Sequence, residues 1–223
     1  MTTEDLRSLE LPVLLDDHHE TFSTHTIPEA TGMTRITTVL VTRLSLAFTP
    51  LAAQETNCDG WKFDRQFWKA ATVDTVSDCL NSGANVNARN EDGSTPFHLA
   101  AYFNENPEVL TVLLDAGADI NARVVDGSTT LHLAAGYNEN PEVFTALLDA
   151  GADLNARDED GSTPFHLAAG YNENPEVIIA LLDAGADGTA VNGDGETPFD
   201  LAQYNEALAG TDAYWALSDA RFE

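Results

Sequence analysis

Positive charge is what this 223-residue chain has least of: 10 Lys and Arg stand against 37 Asp and Glu, a formal net charge of −27. A protein that tracks a phosphate backbone needs a basic patch, and ten cations spread over the whole length do not make one, so nucleic acid is excluded as a partner. An anionic membrane surface is excluded on the same ground. Cysteine is nearly absent; two residues are too few for a disulfide-rich scaffold or a four-thiolate zinc site, though enough for one bridge. A membrane span is also missing. The candidate at residues 36–53 has Arg43 near its middle, where a charge costs about 3 kcal/mol on insertion scales. What the chain does have is 43% hydrophobic and 8% aromatic residues, enough to bury a core and unlike a disordered acidic tail.

Residues 1–32 carry seven acidic side chains and one Arg, with neither helical nor strand periodicity. From Met33 the order changes: Arg35 and Arg43, the apolar run 44–51, then the small residues Ala52 and Ala53. This is the order of a secretory signal peptide, expected over 33–53 with cleavage after Ala53 and no stable membrane insertion thereafter. Such a peptide works at an N-terminus, so translation is expected from Met33, with residues 1–32 untranslated or disordered. The Asp16-Asp17-His18-His19-Glu20 cluster, which superficially resembles a metal site, then carries no weight. The mature chain from Gln54 has 7 basic and 30 acidic residues, a net of −23. A periplasmic or secreted location follows. There Cys58 and Cys79 meet an oxidising compartment, where a bridge is expected to add about 3 kcal/mol; two buried free thiols are the alternative.

Internal repetition dominates the rest. Gly93, Gly127, Gly161 and Gly195 are spaced 34 apart, and segments 127–160 and 161–194 agree at 25 of 34 positions, which chance does not supply. Each Asp-Gly pair, as at Asp92-Gly93 and Asp126-Gly127, is a turn signal. Thr95-Pro96, Thr163-Pro164 and Thr197-Pro198 then set a capping hydroxyl before a proline that opens a helix. A polar loop, residues 104–106, ends it. Asn106-Pro107-Glu108 repeats the cap-then-proline start for a second helix, whose apolar face is expected at Val109, Leu113 and Leu114 and whose stop is Gly117. Helices this short are marginal alone, so stability must come from stacking units into a continuous core.

With TPFHLAA followed by LLDAGADINAR in tandem copies, the chain resembles the ankyrin-repeat family from about residue 63 to its end. The period of 34 rather than 33 is one extra residue, placed in the NENP connection. The resemblance implies an all-α solenoid of stacked helix pairs with β-turn fingers, about five units including caps. The domain 54–223 is divided into a cap at 58–92, repeats at 93–126, 127–160 and 161–194, and a C-terminal cap at 195–223. Its last helix is expected at 213–222.

The resemblance also implies that His98, His132 and His166 hydrogen-bond the turns and helix starts rather than form a ligand ladder. Asp200 replaces them in the last unit. The acidic turns at 158–161 and 192–196 lack the glycine and the closing Glu of a calcium loop. With no phosphate loop, nucleophile elbow or catalytic Cys/His spacing, neither an enzyme, a cofactor nor a metal is expected.

What remains is surface display. By resemblance, the fingers and first helices form a concave binding face: Glu91 and Asp92, Val125 and Asp126, Glu159 and Asp160 at the fingers, with Arg89, Arg123 and Arg157 before them. Phe103, Tyr137 and Tyr171 at the ends of the first helices are expected to form an aromatic column, and aromatic residues flanked by Arg are hot-spot material. Val124 and Val125 replace the acidic finger of the second full unit; they either await a partner or stack on neighbouring fingers. The expected function is a monomeric, non-enzymatic module gripping a protein partner in the periplasm. A secreted effector acting on a host protein is one alternative, and an accessory or inhibitor of a periplasmic enzyme is another. The resemblance suggests an oxidative-stress enzyme for the latter.

Overall fold

The computed structural model describes residues 58–61 and 64–222. The expected signal peptide at 33–53, the stretch 1–32 with its Asp-His cluster, and the expected mature start at Gln54 lie outside them.

Ten helices follow one another in five pairs: α1 (Arg65–Ala70) with α2 (Val73–Asn81), α3 (Pro96–Phe103) with α4 (Pro107–Asp115), α5 (Thr130–Tyr137) with α6 (Pro141–Asp149), α7 (Pro164–Tyr171) with α8 (Pro175–Asp183), and α9 (Pro198–Ala202) with α10 (Asp212–Ala220). Among the described residues the only β pairing is a single antiparallel bridge between Arg123 and Thr129. The last helix ends at Ala220, two residues short of the expectation, with Arg221 as its cap.

Local chemistry sets the helix limits. Asn106 Oδ1 accepts the Glu108 amide at 2.9 Å, and Asn140 and Asn174 repeat the cap on α6 and α8. Gly117 closes α4 at φ +88°, in the left-handed region, where its amide reaches the Leu114 carbonyl and that of Ala118 reaches Leu113. The second helices α4, α6 and α8 bury Val109, Leu110 and Leu113 or their equivalents. Leu110, not the expected Leu114, completes that face, because the adjacent first helix and the next unit cover the i, i+1, i+4 side; Leu114 is half-buried. Paired alanines, Ala100-Ala101, Ala134-Ala135 and Ala168-Ala169, are buried on the first helices and let neighbouring helices approach closely. First helices pack on first helices and second on second along the stack, so one apolar core runs from Trp61 to Leu217. Each buried Leu, Val or Phe in it is worth about 2 kcal/mol.

The N-terminal end is held differently. Cys58 and Cys79 are disulfide-bonded, which removes the alternative of free thiols and ties the segment ahead of α1 to α2. Trp61 and Trp68 pack beside it; Trp68 Nε1 donates to the Trp61 carbonyl and Trp61 Nε1 to that of Asn85. No helix among the described residues is long and apolar enough to cross a membrane.

Between units, two polar ladders run across the buried core. At the start of α3, the Thr95 amide donates to His98 Nδ1 at 3.2 Å. The proton must therefore be on Nε2, which donates to the Ala122 carbonyl at 3.1 Å. His132 and His166 repeat this, reaching the carbonyls of Ser162 and Glu196. In the last pair Asp200 accepts the amide and hydroxyl of Thr197; a carboxylate has no proton to pass on, and among the described residues no further unit follows. At the other end of the first helices, the Asn104 side-chain amide donates to the carbonyls of Trp68 and Ala71, Asn138 to Ala101 and Asn104, Asn172 to Ala135 and Asn138, and Asn205 to Ala169 and Asn172. All four asparagines are buried. What the sequence presents as a polar loop is thus a hydrogen-bonded seam through the stack.

Burial pushes the His98 imidazole down from 6.5 to about 4, and lowers His132 and His166 likewise. A depressed histidine stabilises the fold while neutral, so its contribution is complete above pH 6.5, falls between pH 6.5 and 4, and is flat below. Urea unfolding should lose about 3 kcal/mol from His98 over that window, and His98→Gln should flatten the slope; an equal slope in the variant contradicts the assignment. Thr130 stands where Pro96, Pro164 and Pro198 open their helices, and its buried Oγ1 has no partner. Thr130→Pro should raise stability by about 1 kcal/mol in thermal unfolding; a lowered midpoint contradicts this.

Candidate functional site

The fingers are built from backbone. Asp-Gly turns at Gly93, Gly127, Gly161 and Gly195 hold φ between +74° and +80°. At Gly127 a Cβ would also come within 3.0 Å of the Glu159 amide nitrogen, so the turn excludes any side chain there. Successive fingers are joined tip to tip: Val125 N–H donates to the Asp92 carbonyl, Glu159 N–H to Asp126, and Gly193 N–H to Asp160.

The arginines before the fingers are committed to the same frame. Nη1 of Arg89 donates to the carbonyls of Gly93 and Arg123, Arg123 to those of Gly127 and Arg157, and Arg157 to those of Gly161 and Val191. Each guanidinium therefore closes its own turn and braces the next. Among the described residues no ion pair links an arginine to the finger carboxylates of Glu91, Asp92, Asp126, Glu159 or Asp160, which are all exposed.

Val125 corrects one of the expectations. Its backbone joins the finger row, but its side chain is 69% exposed and is not covered by the neighbouring fingers.

The aromatic column exists with one change of member. Tyr102, Tyr137 and Tyr171 stack with ring planes 20° apart, at centroid distances of 4.7 and 6.0 Å. Phe103, which the 34-residue spacing assigns to the column, lies beside Tyr102 at 4.3 Å, half-buried, with the Arg65 guanidinium 5.0 Å from its ring. The register equivalents of Tyr102 are Gly136 and Gly170, so a search for a recurring residue passes over it. Tyr137 and Tyr171 are 43% and 61% exposed. Burial raises the Tyr137 hydroxyl's pKa, with further contributions from Tyr102, Tyr171 and Asp126, which places the second finger within electrostatic reach of the column.

At the column's N-terminal end is a cleft of about 400 Å³. Arg65 and Lys69 of α1 form one wall, Tyr102, Phe103 and Tyr137 line it, and Glu105 and Glu139 complete it. The two α1 cations were invisible as site residues, because nothing in their local sequence marks them. The remaining acidic turns shape the backbone: Asp158 Oδ1 accepts the Ser162 amide, and Asn192 Oδ1 accepts those of Asp194 and Glu196. No group of three or more His, Cys, Asp or Glu among the described residues is arranged to hold a metal ion.

The arrangement offers a row of unpaired carboxylates, an exposed valine in its middle and a stack of partly exposed tyrosines. Two family models match the chain, one described as ankyrin repeats (3 copies) over residues 67–158 and one as ankyrin repeats (many copies) over residues 147–202. No curated protein matches it.

Proposed function

The chain belongs to the ankyrin-repeat family, and on that footing we propose that it is exported, acts as a monomer without a cofactor, and grips a protein partner with the concave face made by its fingers and first helices. The family points to a protein–protein interaction module. The observation that carries this face is the exposed Tyr137 and Tyr171 stack beside fingers whose carboxylates make no ion pair among the described residues. Partly exposed, mutually supported aromatic rings give a partner a large contact at little entropic cost. The partner-contacting set is Glu91, Asp92, Val125, Asp126, Glu159, Asp160, Tyr137 and Tyr171, with Phe103 at its edge. Arg89, Arg123 and Arg157 hold the fingers and offer the partner only their outward N–H groups.

Export is supported by the order of residues 33–53 and by the Cys58–Cys79 bridge, since disulfides persist in oxidising compartments. A periplasmic extract is therefore the first place to look. The domain should capture a discrete protein, and Tyr137→Ala with Val125→Ala should weaken that complex by about thirtyfold, the loss expected from truncating a hot spot worth about 2 kcal/mol. Binding that is unchanged by both substitutions moves the site off this face.

A further inference from the structure

We infer that the segment received by this face is basic–apolar–basic, with arginines that lie on the exposed tyrosine rings and meet the finger carboxylates, on either side of an apolar side chain seated on Val125. The inference rests on the proposed binding face and gives the chemistry of its occupant.

Three observations point the same way. The first is the fate of the finger arginines. In sequence each acidic finger has an arginine two or three residues away, which reads as local neutrality. In the fold those guanidinium groups are turned to backbone carbonyls of their own and the next unit, so Glu91, Asp92, Asp126, Glu159 and Asp160 face solvent with no ion pair among the described residues. A cationic occupant is attracted without first having to displace an internal salt bridge.

The second is the finger order. The tip-to-tip bonds place Val125 between the Glu91-Asp92 finger and the Glu159-Asp160 finger. An isolated exposed valine would mean little. Here it is the one apolar tip in an acidic row, and the complementary segment carries its cations on either side of an apolar residue.

The third is the tyrosine stack. Tyr171 is the last ring of the stack: Tyr204, which precedes the seam residue Asn205 as Tyr171 precedes Asn172, is 83% exposed and does not stack on it, so among the described residues one face of Tyr171 has no ring against it. A cation held over a tyrosine face is favourable, and the planar guanidinium suits it better than an ammonium. An acidic occupant has no comparable place. Among the described residues, the cations outside the fingers are Arg65, Lys69 and Arg221. Arg221 covers Phe199 and Phe222, while Arg65 and Lys69 share their cleft with Glu105 and Glu139.

The probe is a labelled Arg-Arg-Leu-Arg-Arg peptide, compared by fluorescence anisotropy with its lysine, glutamate and Leu→Ser counterparts on the disulfide-intact protein. The arginine peptide should bind more tightly than the lysine peptide by about threefold, the range of an exposed cation–π contact. Tyr171→Leu should erase that preference. Val125→Ser should weaken the leucine peptide while leaving the serine peptide unchanged, and Glu159→Gln with Asp160→Asn should weaken every basic peptide by about fivefold. Equal arginine and lysine binding that ignores Tyr171 and Val125 would reduce the attraction to diffuse charge and overturn the inference. So would tighter binding of the glutamate peptide at this face. In that last case the protein-binding face itself survives, whereas a captured partner indifferent to Tyr137 and Val125 removes the face.

Discussion

Four buried side-chain amides, those of Asn104, Asn138, Asn172 and Asn205, set how each helix pair sits on the one before it. Apolar packing between short helices is non-directional and tolerates sliding. A buried amide does not, because both of its N–H groups and its oxygen must find partners or cost about 1 to 3 kcal/mol each. In this stack they all do: the two donors reach carbonyls of the preceding unit, and the oxygen accepts an amide two residues on. The Asn104 carbonyl accepts from Asn138, that of Asn138 from Asn172, and that of Asn172 from Asn205, so the seam is continuous.

The candidate site inherits its geometry from that seam. Tyr137 and Tyr171 immediately precede Asn138 and Asn172, so fixing the asparagines fixes the rise between the rings and brings them into one stack. The other end of each first helix is fixed by the histidines, and the fingers beyond by their own backbone bonds and arginine braces. Rigid elements thus hold both the aromatic and the acidic part of the face. A surface assembled this way is pre-ordered, which lowers the entropic cost of binding.

Much of this was legible in the sequence, and the boundary between what was and was not is physical. Thr-Pro, Asn-Pro-Glu and Gly117 act within a turn of helix, so their roles follow from local chemistry, and the 34-residue period supplies the stacking. The disulfide followed from the composition and the export reading. Interactions that span a whole unit were not legible. Asn104 has its partners at Trp68 and Ala71, and in sequence it is only the first residue of a polar loop, although its recurrence at Asn205, where Ala207-Leu208 replaces the Asn-Pro of NENP, was an available sign. The arginines read equally well as hot spots or as solvated consensus; their carbonyl partners lie 34 residues ahead. Tyr102 was missed because the other units have glycine at its position. Leu110 displaced Leu114 because helix-to-helix packing, not the helix period alone, decides which side of α4 is covered.

The acidity of the chain also divides by role. Some carboxylates shape turns, as Asp158 does by accepting the Ser162 amide, and Asp200 caps a helix; those at the fingertips, among them Asp126, which also accepts the Ser128 amide, are the share that faces a partner. All depend on the seam that keeps the units in register, and that dependence can be measured at one loop. Asn138 and Asn140 are two residues apart, the first buried in the seam with two bonds to the preceding unit and the second a half-buried helix cap with one, from its Nδ2 to the Glu105 carbonyl. Urea unfolding of Asn138→Ala should show a loss of about 3 kcal/mol or more, against about 1 kcal/mol for Asn140→Ala. Equal, small losses at the two positions would contradict the account.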